Sequence, residues 1–172
     1  MSRPVLASAI AGILARDLRT LCREVEAYPD ERQLRQEVPG IPNSAGTLVL
    51  HLTGNVQHYV GARLGASGYV RDRPAEFARR EVPRLELLQQ IAATEAVLGA
   101  LTQLVDAQLQ TDFPEVAGGR RVVTGDYLVH LVSHFAYDLG QLDYHRRVVT
   151  GQYAGVAAVR PAELSTARAV PE

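Results

Sequence analysis

The stretch that decides how this chain is read is HLVSHFAYDLGQLDYH, residues 130–145. It holds enough apolar residues for a buried helix: Leu131, Phe135, Leu139 and Leu142 recur at helical spacing. It also carries three of the chain's five histidines, two aspartates and a glutamine. A helix advances about 100° per residue, so His130, His134, Asp138, Gln141 and His145 fall in one band about 80° wide. A core helix therefore bears a coherent polar stripe. A second stripe lies on HLTGNVQH, residues 51–58, where His51, Asn55 and His58 share a band about 60° wide.

Working outward, four helical stretches are predicted and no run of alternating strands. The first covers about residues 4–27, with Ile10, Leu14, Leu18, Leu21 and Val25 on one face. A loop punctuated by Pro39, Gly40 and Pro42 leads to a second helix, which starts near Asn43-Ser44 and runs to about Leu64. The third starts near Pro83 and presents Leu87, Ile91, Leu98, Leu101 and Val105. Residues 112–123 read as a loop or short hairpin turning at Gly118-Gly119. Thr124 is expected to cap the last helix, which stops at Gly151. The fold class implied is all-α, a four-helix bundle over residues 1–151, because each apolar stripe has to be buried against others. The long connections leave a crossover topology open. Residues 152–172 form a C-terminal tail without periodicity, expected to be loosely ordered.

Composition narrows the function. At 172 residues, 22% charged and a formal net charge of −1, the chain is the size of one domain and has no electrostatic footprint for nucleic acid. No apolar run reaches the ~20 residues of a membrane span, and the N-terminal helix is broken by Arg16, Asp17 and Arg19, unlike a signal peptide. The cytoplasm is the expected location. The single Cys22 excludes an intrachain disulfide and a CxxC motif, and reads as a small hydrophobe on the first helix.

Polar stripes of this kind suit metal coordination. Residues i and i+4 lie ~5–6 Å apart at Cβ and can converge on one ion, as His130/His134 and His134/Asp138 would. A facing helix then supplies a third ligand, for which His51 is the natural candidate. Two histidines and a carboxylate suit a divalent transition metal such as zinc, nickel or iron. His130, Asn55, Tyr137 and Gln141 are candidates for the residues that orient the ligands or move a proton. His58 and His145, a turn or more away, are read as surface or supporting residues. For Arg71-Asp72-Arg73 the favoured reading is a loop pinned by Arg–Glu pairing to Glu76; the alternative is a contact with an anion or substrate. The other accounts of the stripes are a solvated helix face, since Asp143, Arg146 and Arg147 lie nearby, and a metal-free hydrogen-bond network.

The segments HLTGNV, RDRPAEF and HFAYDLGQ, in that order, resemble the DinB/YfiT-like superfamily of metal-binding four-helix bundles. They are most similar to a branch with HLxGN, RDRxxEF and HxxxHxGQ patterns. The resemblance covers about residues 5–150. It implies a crossover bundle, frequently a homodimer, whose metal is held by one histidine of the second helix and two of the last. Those positions are His51, His134 and Asp138, the last a departure, since the family usually has histidine there. The resemblance also implies a small-molecule substrate and, in some members, a low-molecular-weight thiol activated by the metal for transfer or isomerisation.

Overall fold

The computed structural model describes residues 5–170. The described residues form six α-helices: α1 (Val5–Glu26), α2 (Ala45–Val56), α3 (Arg73–Ala78), α4 (Arg84–Val97), α5 (Asp106–Leu109) and α6 (Thr124–Thr150). No strand occurs among the described residues, so the fold is all-helical. The predicted face of α1 is the buried one: Ile10, Leu14, Leu18, Leu21 and Val25 are all in the core. Cys22 is half-buried and packs against that core.

Helix α2 starts where its cap predicts. The Ser44 hydroxyl accepts from the Thr47 backbone N–H at 3.3 Å. Every residue of α2 is buried, which explains why its stripe of histidine and asparagine carries so much consequence. The helix continues as a π-helical turn over Gln57–Ala62, where the Arg63 N–H reaches the His58 carbonyl. The segment after it folds into the short α3, which the apolar pattern did not predict. There the Asp72 carboxylate accepts from Ala75 N–H at 3.0 Å and Pro74 occupies the first turn.

Helix α4 begins after Pro83 as expected, then tightens to a 3-10 helix over Leu98–Gln103. The tightening to a three-residue period puts Leu98, Leu101 and Leu104 in the core, and Val105 is 43% exposed rather than buried with them. Residues 112–123 turn back on themselves at Gly118 and Gly119, both at positive φ, held by antiparallel bridges between Asp112 and Val123 and between Ala117 and Arg120. Thr124 is the first helical residue of α6 rather than its cap. Its hydroxyl donates to the Thr111 carbonyl at 2.9 Å, tying the helix start to this turn. Gly151, at φ 70°, ends α6.

The four long helices close a ring in which α1 and α2 each pack against α4 and α6. The chain therefore passes diagonally from α1 to α2 and again from α4 to α6. The α2–α6 contact sets HLTGN against HFAYD.

Two residues near the end of α6 depart from the expected placement. His145 is fully buried, not a surface group: its Nδ1 accepts from the Tyr28 hydroxyl at 2.9 Å and its Nε2–H donates to the Gln36 carbonyl at 2.8 Å. Arg146, whose charge would have suited a solvated face, is fully buried on Glu24 and Asp143. The segment after Gly151, expected to be loose, is anchored by arginines. Arg23 donates to the carbonyls of Val156 and Ala157 and pairs with Glu163, while Arg146 and Arg147 donate to the carbonyls of Ala154 and Tyr153.

Candidate metal centre

The two stripes meet where α2 crosses α6. Nitrogen and oxygen atoms of His51, His134 and Asp138 lie within 4.8 Å of one another, and this trio can hold a metal ion. His51 Nε2 is 3.8 Å and His134 Nε2 3.6 Å from the same Asp138 oxygen, Oδ2. Around an ion with bonds of about 2.0–2.2 Å and tetrahedral angles, ligand atoms stand about 3.4 Å apart. The trio is thus a few tenths of an ångström wider on its two measured edges, within reach of small side-chain rotations. His51 and Asp138 are buried, and His134 is partly exposed.

The tautomer of His51 follows from its neighbours. Its Nδ1 lies 3.0 Å from Oε2 of Glu76. Arg71 grips the same carboxylate with two bonds, Nε to Oε1 at 2.6 Å and Nη2 to Oε2 at 2.8 Å. Burial raises the Glu76 pKa, but its hydrogen bonds from Arg71 and His51 outweigh that and hold the carboxyl below its ordinary range. Arg71 Nη2, a donor, also approaches His51 Nδ1, at 3.3 Å, but it is already spent on Glu76 Oε2 at 2.8 Å. The ionised carboxylate is closer and only accepts, so the 3.0 Å contact places the proton on His51 Nδ1. Its other ring nitrogen, Nε2, faces Asp138 Oδ2 across 3.8 Å, a gap too wide for a hydrogen bond and of a width that an ion could bridge. Asp138 is itself aimed by Gln141, whose amide donates to Oδ1 at 2.7 Å and leaves Oδ2 turned to the imidazoles.

His134 is held differently. Arg71 Nη1 donates to the Asn55 oxygen at 3.1 Å, so the Asn55 amide nitrogen faces His134 Nδ1 at 3.3 Å. A donor there requires the lone pair on Nδ1 and places the proton on Nε2, toward Asp138. Burial, more than the charge of any neighbour, pushes the His134 pKa down, so the ring is neutral near pH 7.

Above the trio opens a pocket of about 190 Å³. His51, Asn55, His130, His134, Tyr59, Tyr127, Arg71 and Arg73 are among the residues that line it. His130 is exposed, its ring 6.2 Å from that of His134. Tyr137, expected beside the metal, is 73% exposed and absent from the lining. His58 pairs instead with Glu115 at 2.9 Å, beyond the trio. The residue that sequence reading underused is Glu76. It was expected to pin a loop, and it does pair with Arg71, but it also fixes His51. Its signal was the acidic residue five positions after Arg71 within RDRPAEF. The glycine of HLTGN serves the same contact, since a Cβ on Gly54 would overlap the Glu76 carboxylate.

No protein-family model, curated protein or solved structure matches the chain.

Proposed function

We propose that the protein is a metal-binding member of the DinB/YfiT-like superfamily, a crossover four-helix bundle that works as a homodimer. In this reading His51, His134 and Asp138 hold a divalent transition metal (zinc, nickel or iron) at the foot of a small-molecule pocket. The observation that carries it is the facing of His51 Nε2 and Asp138 Oδ2, two acceptors aimed at one point by Glu76 and Gln141. When bound, such an ion lowers the pKa of a coordinated water or thiol, the chemistry of a hydrolase or a thiol transferase. The protein's own part is to hold the imidazole of His51 in one tautomer, keep Asp138 turned inward and bring a substrate between Tyr59, Tyr127 and the triad. His130 stands at the pocket wall, where an imidazole can exchange a proton with a bound molecule.

Elemental analysis of the purified protein is the direct test. Stoichiometric metal and a melting temperature raised by added zinc are expected, with both lost in His51→Ala. Asp138→His, which restores the usual ligand of the family, is expected to keep or tighten the ion. Metal-free protein whose melting temperature ignores zinc sinks the proposal.

One observation favours a second reading, a metal-free hydrogen-bond network with no turnover. The Arg71–Asn55–His134 chain delivers the proton of His134 to the face turned toward Asp138, as a network without an ion would need. The same elemental analysis separates the two.

A further inference from the structure

The pocket over the trio is smaller than the range of about 300–1,000 Å³ that holds drug-sized ligands, so its occupant has only a few heavy atoms. Its charge is lopsided. No carboxylate contributes to the lining, whereas two guanidinium groups do. Arg71 is committed to Glu76 and Asn55. Arg73 is exposed, and among the described residues no carboxylate lies within ion-pair distance of it. It is nevertheless placed: its guanidinium sits 5.1 Å over the Phe77 ring, and that ring is 5.0 Å from the imidazole of His51. Phe77 thus parks a free cation at the mouth, next to a triad ligand.

From this placement we propose that the pocket takes a small carboxylic acid. Its carboxylate pairs with the fork of Arg73, and its other polar end faces the trio. The planar guanidinium offers two parallel N–H donors, which match a carboxylate in geometry as well as in charge. A carboxylate also meets no opposing negative charge in the lining. The inference rests on the metal reading above for what lies at the inner end, and on Arg73 and Phe77 for the outer end.

The test is calorimetric titration of zinc-loaded protein with mercaptoacetate and, separately, with 2-mercaptoethanol. The two probes share a thiol for the ion and differ in the carboxylate. Mercaptoacetate is expected to bind at least ~10-fold more tightly, about 1.4 kcal/mol by the usual conversion. Arg73→Gln is expected to erase that preference with zinc content unchanged, and Arg73→Lys to keep part of it. Arg73 is exposed, so neither variant disturbs the core. Equal binding of the two probes, or a preference that survives Arg73→Gln, overturns the carboxylate assignment while leaving the metal standing. Wild-type protein that takes up no zinc overturns the metal reading and this inference together.

Discussion

Asn55 meets two demands that agree only without a metal. Its oxygen has to accept from Arg71, which leaves its amide protons facing His134 Nδ1. Coordination through His134 Nε2 needs the reverse, a proton on Nδ1 and an acceptor in front of it. In Asn55→Asp one oxygen still accepts from Arg71 and the other accepts from Nδ1–H. Zinc is therefore expected to bind Asn55→Asp about tenfold more tightly than wild type in a competition titration against a chromogenic chelator. Unchanged or weaker binding shows that His134 does not coordinate through Nε2. Asp138 poses the complementary case, because its carboxylate supplies the negative charge that a histidine at the same place would not. That charge favours harder ions. His51 stays poised only as long as Glu76 is ionised, and Arg71 sees to that.

At the scale of elements, α2 and α3 form the site's supporting unit. Gly54 lies on the face of α2 that α3 covers, and its missing side chain is the space that the Glu76 carboxylate fills. Gly54→Ala is expected to push Glu76 off His51 and weaken metal binding, even though alanine is the better helix former. Metal affinity falling while the helical circular dichroism holds is the expected pair of results; unaltered affinity shows that Glu76 does not orient His51. Toward the end of α6, His145 ties the helix to the connection between α1 and α2 by bonds to Tyr28 and Gln36. Tyr28→Phe strips its Nδ1 of the only donor among the described residues and leaves a buried acceptor unpaired. The cost is expected to be about 1–3 kcal/mol in chemical denaturation, without loss of metal.

Over the whole molecule, a second buried ion pair lies farther along α6, beyond the trio. Glu24 and Arg146 are both fully buried, and Arg146 also serves Asp143 and the carbonyl of Ala154. Burial is the main cause that lifts the Glu24 carboxyl from about 4.5 to about 7, with Asp143 adding to it and Arg146 opposing. A carboxyl whose folded pKa lies above its unfolded one takes up a proton on folding. Its contribution to stability is complete below pH 4.5 and is lost as pH rises through 7. The wild type is therefore expected to lose more melting temperature than Glu24→Gln between pH 5 and pH 8. Parallel curves would show that Glu24 is ionised throughout. No helix among the described residues is long and apolar enough to cross a membrane.

The helices themselves were legible because burying one face imposes a period, and a period can be read without knowing what covers the face. The α1 face, the Ser44 cap, the Gly151 stop and the candidate trio all came from such local rules. What those rules cannot reach is which residues of other segments arrive at a given face. His145 reads as a surface or supporting group and the burial of Arg146 leaves no local trace, since their partners Tyr28, Gln36 and Glu24 lie more than a hundred positions earlier. The tail read as loose, since arginine-to-carbonyl bonds leave no periodic trace. In HLVSHFAYDLGQLDYH the amino-acid order alone determined that His134 and Asp138 share a helix face. Only the packing of α2, α3 and α6 decided that His51 joins them with its lone pair inward, because a tautomer is set by the hydrogen-bond partner that tertiary structure delivers.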